Sequence, residues 1–285
     1  MKKLLTALAL AAAFTVRAVS AQPLTIQSYN PGENGIFPVT STLISGDSEA
    51  ILIDAQFDIR NAQAVVDMIK TSGKKLTTIY ISCGDPDYYF GLQAIQAAFP
   101  DAKVLASRSV VEHIQQTKEG KLAYWGPILG DAAPTSLTLP AITDSTSLTL
   151  EGETIDIKAI NTPSAFLWVP SGKTILGGVA VSSGQHVWMA DSQTAEARAG
   201  WLDTLNQMLA LKPARVIPGH YLGEAPAGAD AVRFTRGYIQ RFEQALSQAD
   251  DSAALINAMS TAYPDFPAND TLTISAKVAT GEMDW

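Results

Sequence analysis

The residues best suited to chemistry lie in one short segment, Cys83-Gly84-Asp85-Pro86-Asp87, which follows a β-prone run at residues 76–81. Alternate residues of an extended backbone point to the same side, so the thiol and the two carboxylates can serve one ion. Functional sites of α/β sheets usually lie at the carboxyl ends of strands. The segment therefore predicts a functional site at the end of this strand.

The same residues also have structural interpretations. Asp85 can cap the helix expected after it, Pro86 suits the first helical turn, and Asp87 is favoured by the positive helix end. A cysteine at a strand end is more often a small buried apolar residue than a ligand. A further hypothesis is thiol chemistry, with Cys83 as nucleophile and His220 as its base. These alternatives stay open.

Two other histidines and the tryptophans have less specific roles. His186 lies among apolar residues with Asp191 five positions later, which suggests either a buried hydrogen-bonded pair or the lining of a cleft. His113 falls on a predicted helix and is expected at the surface. Core packing is the expectation for the tryptophans, with the wall of a pocket as the alternative; they include Trp125, Trp168, Trp188 and Trp201.

Strand and helix patterns alternate through the chain. Strands are predicted at residues 35–44, 50–54, 76–81, 103–106, 147–150, 154–160, 166–170, 174–181 and 215–217. Helices are predicted at residues 61–71, 107–118, 194–211, 229–247 and 253–263, and another follows Asp87 and runs to about residue 98. This order suits two sheets between helical layers, with right-handed crossovers. Periodicity alone does not separate this arrangement from other layered α/β folds.

The N-terminal residues are typical of an export signal. Lys2 and Lys3 precede an apolar stretch at residues 4–16, and Val19-Ser20-Ala21 is a small-residue cleavage pattern. We expect cleavage after Ala21, a single domain at residues 22–285, and a periplasmic or secreted protein. A retained membrane anchor is the alternative.

The net charge limits the classes of partner that the protein can bind, and the cysteine content limits its disulfides. The net charge is −8, and it becomes −11 when the three basic residues of the predicted signal are removed. Binding of nucleic acid or of an anionic membrane surface needs a basic surface, so we expect neither, and no stable membrane association. A small-molecule substrate or ligand is the expected partner. With one cysteine, the chain forms no intramolecular disulfide.

The segment after residue 81 resembles the metallo-β-lactamase superfamily, which has a His-x-His-x-Asp-His motif here, followed by an apolar residue or two and Gly. Alignment on Asp-x-x-Phe-Gly puts Cys83 and Asp85 at the first two histidines, Asp87 at the aspartate and Tyr88 at the last histidine. Pro218-Gly219-His220 resembles the later Pro-Gly-His turn. The resemblance covers about residues 40–220 and implies a four-layer αββα sandwich in which the two turns meet at one cleft.

Departures from the family pattern imply a depleted metal site. The stretch Thr162-Pro163-Ser164-Ala165 stands where Thr-Pro-Gly-His is expected, and Val179 stands where a bridging aspartate is expected. Only Asp87 and His220 match the family's ligand types. A catalytic zinc site needs three protein ligands and an open position for water, so a dinuclear centre is not expected.

The resemblance leaves two hypotheses for function. In the first, Cys83, Asp85, Asp87 and His220 hold one zinc or other divalent ion, and metal-bound water hydrolyses an ester, lactone or amide. Asp87 is then the catalytic residue, and the predicted substrate-binding residues are Tyr88, Ser164 and His186. In the second, the protein is a metal-free, catalytically inactive relative that binds a small molecule.

Overall fold

The structure is a computed structural model that describes residues 23–160 and 162–285. The predicted export signal at residues 1–21 lies outside the described residues. No helix in the described part of the chain combines the length and apolar character needed to cross a membrane.

The first half of the chain forms a six-stranded sheet whose strands lie side by side in chain order. Its strands are β1 (Thr25–Tyr29), β2 (Ser41–Ser45), β3 (Glu49–Ile53), β4 (Lys75–Ile81), β5 (Lys103–Ser107) and β6 (Ala141–Thr143). The first three strands are antiparallel, and β3 to β6 are parallel. Because parallel neighbours need crossover connections, helices follow these strands: α1 (Ile59–Ser72), α2 (Pro86–Tyr89), α3 (Leu92–Ala98) and α4 (Arg108–Leu129).

Local sequence explains why α1 forms where it does. Asp58 caps its first turn by accepting a hydrogen bond from the Asn61 amide, which satisfies one of the free N–H groups of the helix start. Gly73 ends the helix with a φ of 66°, a left-handed conformation that costs glycine little. The apolar residues between them face the sheet: Ala62, Val65, Val66 and Ile69 are buried.

The second half forms a five-stranded sheet and a two-stranded ribbon. Its strands are β7 (Ser147–Leu150), β8 (Glu153–Lys158), β9 (Phe166–Val169), β10 (Thr174–Leu176), β11 (Ser182–Ser183), β12 (Arg215–Val216) and β13 (His220–Tyr221). The sheet order is β12-β10-β9-β8-β7, and β11 pairs with β13 in parallel. Its helices are α5 (Ala195–Ala210), α6 (Asp230–Leu246), α7 (Ser252–Ala262) and α8 (Asp270–Ala279).

Three apolar cores hold four layers together. One lies between the first sheet and its helices, and another between the second sheet and α5 to α8. The third joins the two sheets, where residues such as Ile53 and Tyr80 of the first sheet pack with Leu167 and Leu176 of the second. The predicted αββα sandwich is confirmed.

Most predicted elements are confirmed within a few residues, and the errors have physical causes. The helix predicted to end at residue 98 is two helices, because the Gly91 N–H donates to the Gln56 carbonyl oxygen at 2.9 Å and not to the carbonyl four residues before it. The strand predicted at 174–181 stops at Leu176, since Gly177 and Gly178 turn with φ of 71° and 76°.

Other boundaries were wrong because periodicity was weak. The helix predicted at residues 107–118 continues to Leu129, and the strand predicted at 35–44 is limited to its last residues as β2. The pattern did not predict β1, β6 or α8.

Candidate functional site

The loop after β4 is anchored by a buried carboxylate at the end of β3. Asp54 accepts hydrogen bonds from the Ser82 backbone N–H (2.8 Å) and from the Ser82 hydroxyl (2.6 Å). The Ser82 Oγ in turn accepts from the Gly178 N–H at 2.7 Å. Burial raises the pKa of Asp54 to about 7, although the bonds from Ser82 act in the opposite direction. These contacts tie the ends of β3 and β4 to the turn after β10.

The two turns expected to share a cleft do meet. The Asp87 carboxylate, in the first turn of α2, lies 2.7 Å from His220 Nε2. The other ring nitrogen, Nδ1, lies 3.2 Å from the Tyr88 hydroxyl, which also lies 3.4 Å from the Gly178 carbonyl oxygen. Both nitrogens of His220 are therefore already engaged by protein groups.

Close backbone approach lets His220 reach Asp87. A Cβ on Gly219 would lie 2.1 Å from the Gly178 oxygen and 2.8 Å from the Tyr88 hydroxyl, so only glycine fits there. The Tyr88 side chain is fully buried. Burial, together with the nearby Asp87 charge, raises the pKa of Tyr88 well above its ordinary value, so its hydroxyl keeps its proton.

The other half of the motif is bound to α4. Lys121 Nζ lies 2.8 Å from Asp85 Oδ1, and the Cys83 thiol donates to Asp85 Oδ2 at 3.3 Å. His113 Nε2 lies 3.1 Å from the same ammonium and 3.7 Å from the Asp85 carboxylate. Asp85 occupies the N-cap position of α2 but makes no capping bond, because its side chain is engaged by Lys121 instead.

These contacts determine the protonation states. Burial alone would raise the pKa of Asp85, but the hydrogen bonds and charge from His113 and Lys121 outweigh it and lower that pKa. Burial, reinforced by the Asp85 charge, raises the pKa of Cys83 well above its ordinary value. The thiol therefore stays protonated and points at Asp85 rather than at His220, which argues against the nucleophile hypothesis.

The predicted substrate-binding residues separate into different environments. Tyr88 lies beside His220, as described, whereas Ser164 is a buried residue of the turn before β9. His186 is only 1% exposed, and its Nδ1 lies 2.9 Å from the Tyr238 hydroxyl in the core under α6. Neither Asp191 nor the cleft is its partner. The structure therefore does not bring His186 to this site, and burial lowers its pKa.

Sequence reasoning missed Lys121, which binds Asp85, and the contact between Asp191 and Trp285. Lys121 lies on the part of α4 beyond the predicted helix end, and no spacing rule connects it to Asp85. Asp191 was considered only as a partner of His186, but it binds the indole groups of Trp188 and Trp285. A charged residue inside an amphipathic helix gives no signal that distinguishes an internal ion pair from a solvated face.

The fold and the placement of these turns define a metallo-β-lactamase-like protein. The family model of the metallo-beta-lactamase superfamily matches residues 34–220, and the chain belongs to that superfamily. The superfamily generally binds zinc or other divalent metals. No curated protein matches the chain in sequence.

Solved structures share the fold at low identity. A metallo-beta-lactamase from Pontibacter korlensis is 17% identical, with a TM-score of 0.53 over 76% of this chain and 93% of that one. A metallo-beta-lactamase family protein from Thermus thermophilus is 17% identical, with a TM-score of 0.61 over 89% and 91%.

The stereoselective inverting sec-alkylsulfatase Pisa1 from Pseudomonas sp. is 16% identical, with a TM-score of 0.57. The match covers 87% of this chain but only 48% of the sulfatase, so this chain spans about half of that protein's length. At such identities the three structures are evidence for the fold alone.

The residues at the family's ligand positions do not fit a metal ion of the usual kind. Within residues 23–160 and 162–285, no three His, Cys, Asp or Glu side chains are grouped so as to hold a metal. Ala165 is buried without a donor, and Val179 packs against the first core. Asp85 and Asp87 meet different partners, so the predicted pooling of Cys83, Asp85, Asp87 and His220 around one ion is not the arrangement observed.

Proposed function

We propose that this protein is a metal-free member of the metallo-β-lactamase superfamily that binds a small molecule at the family's cleft. The observation that supports the proposal is the internal pairing of both motif carboxylates. Asp85 binds Lys121 at 2.8 Å, and Asp87 binds His220 at 2.7 Å. The ammonium of Lys121 gives Asp85 the positive partner that a metal ion gives an acidic ligand.

A metal would have to compete with this pairing. Binding at Asp85 requires removal of the Lys121 ammonium from a half-buried ion pair, which leaves that charge without its partner. Cys83 would have to lose a proton that burial holds, since thiols bind metals as thiolates. Ala165 and Val179 have no donor atoms in their side chains. Only Asp87 and His220 would then remain, and two ligands bind zinc weakly.

The predicted one-metal hydrolase of an ester, lactone or amide is the competing function. Its support is that Asp87 and His220 retain the family's ligand types and touch one another. In that function His220 would turn Nε2 from Asp87 toward an ion, and its Nδ1 would stay oriented by Tyr88. The two functions differ in metal content, which can be measured.

Metal analysis of protein purified without chelators, followed by calorimetric zinc titration, tests the proposal. We expect well under about 0.1 ion per chain and no saturable zinc binding at micromolar concentrations, because fewer than three suitable ligands converge. A gain-of-ligand variant carrying Cys83→His, Asp85→His, Tyr88→His and Ala165→His should bind zinc.

The matched control for that variant adds Asp87→Asn, which should weaken its zinc binding because one carboxylate ligand is removed. About one zinc per unmodified chain, lost on Asp87→Asn alone, would overturn the metal-free proposal in favour of the one-metal alternative.

We also propose that the protein is exported after cleavage behind Ala21. The supporting observation is the basic, apolar and small-residue order of residues 1–21. Mass spectrometry of protein expressed in a Gram-negative host should give a chain that begins at Gln22 in the periplasmic fraction. An intact N-terminus in that host would contradict export by this route.

A further inference from the structure

A carboxylate bound by two tryptophans lies on the loop between β11 and α5. Asp191 Oδ2 accepts a hydrogen bond from the Trp188 indole N–H at 2.7 Å, and Oδ1 accepts from the Trp285 indole N–H at 2.6 Å. The two indole rings are edge to face, with centroids 5.1 Å apart. We call Trp188, Asp191 and Trp285 the tryptophan rim.

The chain holds this rim in place from several sides. The side-chain amide of Gln193 donates to the backbone oxygen of Trp285 at 3.1 Å. Three residues earlier, the Glu282 carboxylate accepts hydrogen bonds from the N–H and the hydroxyl of Ser252, each at 2.6 Å. Arg198, which is buried, donates to the carbonyls of Ser192 and Gln193 and pairs with Glu243. Trp285 is thus fixed to the loop.

The rim lies at the protein surface. Asp191 is an exposed residue, and Trp188 is half-buried. The Trp285 side of the rim is accessible to solvent, since this residue is 52% exposed.

Asp191 differs from the two motif carboxylates in its charge balance. Asp85 has Lys121 and Asp87 has His220, whereas no Lys, Arg or His nitrogen of the described residues lies within 4.0 Å of the Asp191 oxygens. Its two hydrogen-bond donors are neutral indoles. A carboxylate that lies beside aromatic rings and has no cationic partner favours the arrival of a positive charge.

We infer that the tryptophan rim binds the positively charged group of a small organic cation, such as a quaternary ammonium. The cation would lie against an exposed indole face, where the ring quadrupole attracts it, and beside the Asp191 carboxylate. This inference goes beyond the proposed function, because it assigns a ligand class to a surface outside the Asp87–His220 contact. An anionic ligand is disfavoured, since the Asp191 carboxylate would repel it.

The test compares a cation with its uncharged isostere. The full chain is titrated by calorimetry with choline and with 3,3-dimethylbutan-1-ol, which has the same shape with carbon in place of nitrogen. We expect saturable choline binding at least about ten-fold tighter than binding of the alcohol, since cation–π attraction and a carboxylate partner act only on the charge.

Variants assign the binding to the rim. Asp191→Asn should weaken choline binding about ten-fold or more and bring it close to that of the alcohol, because the charge is lost while one acceptor oxygen is kept. Trp285→Phe keeps an aromatic face, and it should bind choline better than Trp285→Leu does. Asp203→Asn, at an exposed aspartate of α5, is the matched control and should bind as the unmodified chain does.

Three results would overturn the inference: no saturable choline binding, equal binding of the two probes, or unchanged binding in Asp191→Asn. A merely structural tie between Asp191 and the C-terminus predicts the first of these. Zinc content is measured on the same samples, so a failure of the metal-free proposal is seen as bound zinc, separately from the ligand result.

Discussion

Replacement of Asp54 by asparagine should change how the stability of the protein depends on pH. The Asp54 carboxyl is fully buried, and burial raises its pKa from 3.8 to about 7. In the unfolded chain this carboxyl loses its proton near pH 4, whereas in the native protein it keeps the proton until about pH 7. Between these values the native state binds more protons than the unfolded state, so stability falls as pH rises.

The size of the effect follows from the shift. One pKa unit corresponds to about 1.4 kcal/mol, so a shift of about three units corresponds to about 4 kcal/mol across the whole window. Low pH leaves this stability in place, and it is lost as pH rises through the native pKa. Asp54→Asn has no such titration, and the difference between the two proteins isolates this one group from other titrating side chains.

Urea unfolding at pH 4.5 and at pH 8 measures this difference. The free energy of unfolding of the unmodified protein, minus that of Asp54→Asn, should decrease by about 3 kcal/mol between the two pH values. Asp203→Asn should show no such change, because that residue is exposed. If the Asp54→Asn difference is the same at both pH values, the two Ser82 hydrogen bonds outweigh burial and the reasoning is refuted.

Two further substitutions test the contacts around the site and the rim. Tyr88→Phe leaves His220 Nδ1 without its 3.2 Å partner and should lower the free energy of unfolding by about 1–3 kcal/mol in urea titrations; an unchanged value would mean that water replaces the hydroxyl. Arg198→Met removes the buried partner of Glu243 and should lower the free energy of unfolding by about 3 kcal/mol. The exposed control Arg233→Met should lower it by less than about 1 kcal/mol. Equal losses in the two variants would contradict a buried role for Arg198.

Some parts of the fold could be predicted because their signals are local. The helix α1 has a capping aspartate, a regular apolar stripe and a terminal glycine, and each of these acts within a few residues. The strand β4 has a continuous β-prone run, as parallel strands buried on both faces do. The helix α4 could not be bounded in the same way, because few of its residues are buried and its periodicity is weak.

The candidate site was predictable only in part. The meeting of Asp87 with His220 was expected from the resemblance to the metallo-β-lactamase superfamily, and the structure places the two side chains 2.7 Å apart. The four predicted ligands are not grouped around one point in the structure, because Asp85 binds Lys121 instead. That pairing joins residues 36 positions apart on different elements, and no sequence period encodes it.

The sequence by itself determined the layered fold, and it also led to the predictions that a site follows β4 and that Tyr88, Ala165 and Val179 stand at ligand positions of the family. These follow from residue types, whose hydrophobicity and donor chemistry are the same in any context. Only the tertiary structure decided which partner each charged group meets. Asp85 binds a lysine of α4, and Asp191 binds the C-terminal Trp285, because electrostatic and hydrogen-bond partners are chosen by distance in space once the layers have packed.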